Sequence, residues 1–526
     1  MGRFNLSTSK VKSGSLIGST GVVSSATAFS RILGLVREQV MAYFFGAGMA
    51  TDAFVTAFRV PNLLRDMFAE GALSVAFVSV FKKKLVTESD EEAFSLASLI
   101  LTLILAVVGL IVVLGIIAAP AIIYITANGF TAIPEKFDLT VRLTRIMMVY
   151  LLTVSISALV MGILNSFGRF GIPALSSAMF NLGMIVTVVV LFGSFEQPVY
   201  ALALGVLVGG LGQLGIQLPL LRKIGFRFRI AFNLLDDGLR QVIKLVTPMI
   251  IGLSAGRINI LISTLLASFL MEGSISYLNY SYRLMHFPMG VFAVALGTVA
   301  LPRVSEMVAS KDTEGLRRTF YDAMSLNLFI LVPSAIILAM MGHEIVQVIY
   351  QWGAFSQIDA NNTYLALLHY SYGLIGFATV RVIVPFFYAH NDSRLPMKIS
   401  IITVAVNIAL YYPFIKILNF AGLAAATSIA GMLNCALLLF FLPGKGVRVA
   451  WGTLALNTTR IALAAALACY IARMVPVPVL VKGVLAERIM DLVVPALASV
   501  LLYAMLCVIF RVPEISRIGR ILLRRK

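Results

Sequence analysis

Two stretches near the N-terminus place charge where the surrounding residues are apolar. Phe29-Ser30-Arg31-Ile32-Leu33-Gly34-Leu35-Val36-Arg37-Glu38 puts two guanidinium groups and a carboxylate inside one helical run. Positions 31, 34 and 38 share a face at helical spacing, and Gly34 leaves room for a close neighbour. After the turn Phe45-Gly46-Ala47-Gly48 and the acid Asp52, the second run carries Arg59, Pro61, Arg65, Asp66 and Glu70. Pro61 frees a backbone carbonyl and permits a bend beside Arg59. Arg283 recurs in the second half of the chain, in Tyr282-Arg283-Leu284. Guanidinium forks pair bidentately with phosphate oxygens and stay charged at every relevant pH, so this set suits an anion such as phosphate or pyrophosphate. A pump for cationic drugs would place net acid there instead. The alternative is an internal ion-pair network, with Arg37–Glu38 and Arg65–Asp66 compensating one another. It leaves unexplained why arginine outnumbers acid around Pro61 and why Arg283 recurs.

The elements that position these residues are membrane helices. Of 526 residues, 60% are hydrophobic and 13% charged, and the mean hydropathy is +0.95. That excludes a string of soluble domains. Hydropathy predicts fourteen spans, near 16–45, 52–81, 93–125, 140–166, 172–195, 198–221, 241–270, 274–302, 319–349, 362–388, 396–418, 421–442, 453–475 and 487–510. With a cytoplasmic N-terminus, 27 of the 42 Lys and Arg residues fall on inner segments and seven on or near outer ones. The net charge of +18 is thereby explained by the positive-inside rule rather than by nucleic acid, and both termini are expected inside. Eight arginines remain within spans: Arg31, Arg37, Arg59, Arg65, Arg257, Arg283, Arg381 and Arg460. Each costs about 2.5–3.5 kcal/mol on insertion scales, so such residues face protein or water. Arg257, Arg381 and Arg460 stand near helix ends, from which a long side chain can reach the interface.

An internal repeat supports a duplicated architecture. Ala201-Leu202-Ala203 through Gly212-Gln213 resembles Gly422-Leu423-Ala424 through Leu433-Asn434 at an offset of 221 residues, and Arg59/Arg283 and Pro173/Pro396 follow nearly the same offset. Six spans separate the copies. An even number keeps both halves in one orientation, as two parallel bundles around a cavity. Gly210-Leu211-Gly212-Gln213-Leu214-Gly215 matches a dinucleotide fingerprint, but it lies in an apolar helix with no strand before it, and close helix packing explains it better. The four histidines form no ligand pair. Cys435, Cys469 and Cys507 are isolated packing residues. No cleaved signal peptide, Walker motif or nucleophilic constellation is present, and no enzyme activity, cofactor or metal is expected.

The motifs Phe29-Ser30-Arg31-Ile32-Leu33-Gly34, Gly46-Ala47-Gly48-Met49-Ala50-Thr51-Asp52-Ala53-Phe54, Pro61-Asn62-Leu63-Leu64-Arg65 and Phe68-Ala69-Glu70-Gly71-Ala72 resemble the MurJ (MviN) family. So do Tyr282-Arg283-Leu284, Phe287-Pro288-Met289-Gly290, Ala295-Leu296-Gly297-Thr298 and Pro385 through Asp392. The resemblance spans nearly the whole chain. It implies a bacterial lipid II flippase of the multidrug/oligosaccharidyl-lipid/polysaccharide exporter superfamily, an all-α polytopic protein of about fourteen helices in two parallel six-helix lobes plus a final pair. Arg31, Arg37, Arg65 and Arg283 match the family's cavity arginines, and Arg59 stands where relatives carry Lys. Asp52 and Glu70 match its functional acids, with Glu38 in place of an Asp, and these three are expected to gate. Asp66 stands where some relatives have a second Arg. Ser263, Asn407 and Tyr411 stand where some members bind sodium, and no sodium site is expected.

The expected organisation is an N-lobe over 1–222, a basic cytoplasmic linker over 223–240, a C-lobe over 241–443, a helix pair over 444–512 forming a lipid-tail groove, and a basic cytoplasmic tail over 513–526. The expected activity is movement of lipid II from the inner to the outer leaflet of the inner membrane by alternating access. The protein would be a monomer meeting membrane lipids and cell-wall synthesis proteins. Export of another lipid-linked oligosaccharide shares this pattern, and a non-transporting scaffold for cell-wall enzymes is the reading from a different class. The topology has a direct check. With the three native cysteines replaced, Glu196→Cys should react with an impermeant maleimide added to intact cells and Lys83→Cys only after lysis, and the reverse labelling would overturn the assignment.

Overall fold

The computed structural model describes residues 14–66, 72–447, 449–475 and 484–515. Every element is helical, with no strand among the described residues, and ten helices there are long and apolar enough to cross a membrane. Among the described residues the predicted spans fall on helix. Five of them are interrupted there: 93–125 at Ala118, 140–166 at Val149, 198–221 at Ile216–Gln217, 274–302 by a π-turn at Met289–Ala293, and 319–349 at Met341. The π-turn follows Pro288, whose missing N–H removes one hydrogen bond of the α-ladder. Glu70 and the tail beyond Ile515 lie outside the described residues.

The chain separates into two compact units. The first comprises residues up to Met41 with Ala53–Ile125 and Phe130–Ser254, and the second comprises Ala42–Asp52, Thr126–Gly129 and everything from Ala255 onward. The first is cored by Phe77, Phe81, Leu96, Ile100, Leu151 and Leu164, and the second by Phe320, Phe386, Phe387, Leu438, Leu442 and Ile461. The final helix pair, Trp451–Met474 and Val484–Ile509, belongs to the second unit, where Tyr503 donates to the Phe329 carbonyl at 2.8 Å. All three cysteines are free, with Cys469 and Cys507 buried.

The duplication is visible in how equivalent helices start and pack. Ser89 caps the Asp90 helix by accepting from Glu92 N at 3.2 Å, and Asp312 caps the Thr313 helix by accepting from Gly315 N at 2.8 Å. These side chains satisfy backbone donors that a helix leaves unpaired at its first turn. A Cβ on Gly210 would lie 2.6 Å from Thr153 Oγ1 and 2.7 Å from the Tyr150 ring, and one on Gly376 would lie 2.9 Å from the Gly431 backbone. In both units the helix closing the repeat thus meets the helix two before it through glycine. Gly210 is therefore a packing residue, inside the Tyr200–Gly215 helix with no strand beside it. Gly210→Ala should destabilise the protein by about 1–3 kcal/mol through overpacking. Gly215→Ala, in the same motif but with nothing within 4 Å, should leave the thermal unfolding temperature within a degree or two, by circular dichroism in detergent.

Candidate functional site: arginines within the membrane helices

In the first unit the predicted cations lie on two helices. Arg31 and Arg37 lie on Gly14–Phe45, and Arg59 and Arg65 on Met49–Arg65, with Pro61 between them. Arg31 is exposed, while Arg37, Arg59 and Arg65 are half-buried. Arg37 is ion-paired with the buried Glu38 through Nη2, donates from Nη1 to Asn181 Oδ1 at 3.0 Å, and lies 5.9 Å from the Phe180 ring centroid. Arg65 Nη2 lies 3.0 Å from Asp66 Oδ1. The two neighbouring pairs expected from sequence therefore form. Asn181 approaches the first helix closely along Ser30, Gly34 and Arg37.

In the second unit Arg283 is exposed on the Ser274–Pro288 helix, six residues before the π-turn. The Tyr282 ring stacks on His286 at 3.9 Å between centroids and meets Tyr370 edge-on at 5.6 Å. Arg381 lies on the Gln357–Ala389 helix.

Asp52 is placed by a different logic. Its segment, Ala42–Asp52, is part of the second unit although both flanks belong to the first. The carboxylate is 1% exposed. It accepts from Gly273 N at 2.9 Å, Ser276 N at 2.9 Å and Ser276 Oγ at 2.6 Å, which caps the Ser274 helix. A carboxylate at a helix N-terminus meets unpaired donors and a favourable dipole together. The surrounding joint is closely built. Met49 N donates to Glu272 Oε1 at 2.7 Å, Tyr280 OH to the Gly46 carbonyl at 3.2 Å, and Ala354 N to the Tyr43 carbonyl at 2.8 Å. Gly273 sits at φ 86°, and a Cβ there would lie 2.6 Å from the Ala47 carbonyl. Gly46, at φ 61°, would meet the Ala354 carbonyl at 2.6 Å. Only glycine fits these two positions. Sequence reasoning identified Asp52 but missed Glu272, Ser276 and Tyr280, although Glu272-Gly273-Ser274 before an apolar run is itself a helix-start signal.

This arrangement of cations and capping acid sits in a chain whose residues 41–493 match the profile of the family described as Lipid II flippase MurJ. The chain belongs to the MurJ family. A probable lipid II flippase MurJ of Vibrio cholerae is 36% identical over 82% of this chain and 84% of its own length, and a lipid II flippase MurJ of Burkholderia cenocepacia is 32% identical over 81% and 83%. A solved MurJ lipid II flippase in an inward closed conformation superposes with a TM-score of 0.75 at 25% identity, covering 92% of this chain and 98% of that one. A multidrug resistance MATE family transporter of the MOP superfamily, inward-facing, gives 0.68 at 14% identity over 82% and 98%, which is a likeness of fold. The protein is thus a multi-pass membrane protein of a transporter family rather than a catalyst.

Where the MurJ resemblance implies sodium in some relatives, this chain carries amides and hydroxyls. Asn407 Nδ2 donates to Asn259 Oδ1 at 2.9 Å and to Tyr411 OH at 3.0 Å, and Tyr411 OH lies 3.4 Å from Thr427 Oγ1. No group of three or more His, Cys, Asp or Glu side chains fit to hold a metal occurs among the described residues.

The capping role of Asp52 predicts a local effect. Asp52→Ala should raise amide exchange at Gly273 and Ser276 by about ten- to a hundredfold, from the loss of charged hydrogen bonds each worth about 1.5–3 kcal/mol. Exchange near Gly210 should not change, as read by hydrogen–deuterium exchange mass spectrometry.

Proposed function

We propose that the chain flips lipid II from the inner to the outer leaflet of the bacterial inner membrane by alternating access, with both termini in the cytoplasm. The observation that carries this reading is the excess of arginine over acid on membrane helices of both units. Arg31, Arg37, Arg59 and Arg65 in the first and Arg283 in the second would bind the pyrophosphate and the adjoining sugar. Cations gathered on membrane helices suit an anionic ligand, and a lipid-linked diphosphate has the matching oxygens. Glu38 and Asp66 compensate two of the five cations before substrate arrives, and the guanidinium forks would exchange those carboxylates for phosphate.

The polyprenyl tail would stay in lipid along the final helix pair, whose Leu463, Leu467, Leu497 and Leu501 side chains are exposed. Asp52 would gate through the capping bonds to Gly273 and Ser276, which must break if its segment is to leave the Ser274 helix. Glu38 would gate through its exchange with Arg37, and Glu70 is assigned the same role from the family motif. An inside-negative potential favours outward movement of an anion by about 2.3 kcal/mol per charge per 100 mV, enough to drive a diphosphate without nucleotide hydrolysis. Cell-wall synthesis proteins remain proposed partners, and the working unit is taken as a monomer.

Native mass spectrometry of the purified protein tests the reading. Lipid II should bind in preference to another polyprenyl-diphosphate saccharide and to a cationic drug. Arg31→Ala and Arg283→Ala should each weaken that binding by about tenfold, the value of one charge-assisted hydrogen bond. Equal binding of all three ligands, or binding indifferent to both substitutions, would leave the ion-pair network as the better account of the arginines.

A further inference from the structure

Asn181 is a lone amide in the apolar Gly171–Leu191 helix, 7% exposed. Arginine has no acceptor, so the side-chain oxygen must face Arg37 and the NH2 must turn the other way. The geometry agrees. Oδ1 accepts from Arg37 Nη1 at 3.0 Å, and Nδ2 donates to the Ser30 carbonyl at 3.1 Å, almost two turns earlier on the same helix. Gly34 lies between these two contacts, where a Cβ would sit 3.6 Å from Nδ2. One amide thus ties the guanidinium to the backbone of its own helix and to a neighbouring one.

The duplication supplies an internal comparison. Asn259 and Asn407 follow Arg37 and Asn181 by 222 and 226 residues, and they too are hydrogen-bonded, at 2.9 Å. Both units therefore join the first and fifth helices of the repeat through a buried asparagine. In the first unit that asparagine holds a cation. A carboxylate at 181 would hold the fork in the same direction while cancelling its charge. An apolar residue would leave the fork undirected.

We propose that Asn181 is a positioning residue for anion recognition, fixing the direction of the Arg37 fork without neutralising it. This rests on the assignment of Arg37 to substrate binding. A fixed fork is what bidentate phosphate recognition requires, since a misdirected guanidinium makes one bond where two are possible.

The test compares lipid II binding by the purified full chain in wild type, Asn181→Ala, Asn181→Asp, Arg37→Ala and the Arg37→Ala/Asn181→Ala double variant, with thermal unfolding followed in parallel. Asn181→Asp keeps the shape and the acceptor toward Arg37 but loses the donor to the Ser30 carbonyl, so its unfolding temperature should fall by a few degrees. It should bind lipid II about tenfold more weakly than wild type at a temperature where both are fully folded. Asn181→Ala should weaken binding by several-fold in the wild-type background and by nothing further in the Arg37→Ala background. Wild-type affinity in Asn181→Asp would overturn the proposal, as would an Asn181→Ala loss that persists unchanged without Arg37, since a packing role gives either result. If Arg37→Ala itself binds like wild type, the assignment of Arg37 fails and the proposal fails with it, an outcome distinguishable from the other two.

Discussion

A guanidinium held at membrane depth needs compensation, and in this protein that need organises the residues around it. On insertion scales each such group costs about 2.5–3.5 kcal/mol, and four of them lie on the first two helices. Adjacent carboxylates could cancel that charge completely, which would stabilise the fold and abolish any affinity for an anion. Arg37 has Glu38, the Asn181 oxygen and the Phe180 ring, and Arg65 has Asp66, while Arg31 stays exposed. Two carboxylates beside four guanidinium groups help keep the helices insertable without matching them charge for charge.

That field is useful only if the helices carrying it are held in register, and two kinds of small-residue contact do this. Within each unit, glycine lets the last helix of the repeat approach backbone to backbone or against a ring, at Gly210 and at Gly376 with Gly431. At the turn between the first two helices, glycine serves a joint instead. Gly46 and Gly273 take left-handed conformations beside backbone carbonyls, so that Asp52 can reach the start of the Ser274 helix. The segment Ala42–Asp52 belongs to the second unit while the helical stretches on either side of it belong to the first. Four of the five residues proposed to bind, and Glu38 and Asp52 of those proposed to gate, lie on these first two helices, while Arg283 lies on the Ser274 helix that Asp52 caps.

Much of this was legible in the sequence because the decisive patterns are local. Hydropathy placed its spans on helix wherever residues are described. It merged some neighbours because a proline or a π-turn interrupts the hydrogen-bond ladder without interrupting the apolar run, as at Pro288 and Met289–Ala293. Arg37–Glu38 and Arg65–Asp66 were readable because the partners are adjacent. The Asp52 partners were not, since Gly273 and Ser276 lie 221 and 224 residues away and no periodicity links a turn to a distant helix start. Asn181 was missed for a related reason. A single amide in an apolar helix has no sequence partner, and only the packing of that helix against Ser30, Gly34 and Arg37 gives it a role.

The two asparagine nodes show how a duplicated fold can become electrically unequal while keeping its mechanics. In each half a buried amide links the first and fifth helices of the repeat, which conserves the packing geometry both units need. In the first half the partner is a guanidinium, and in the second it is another amide joined by the Tyr411 hydroxyl. An amide-to-amide bond adds no net charge, whereas the same contact to arginine directs a cation without adding an acid. Four of the five assigned cations accordingly lie in the first unit.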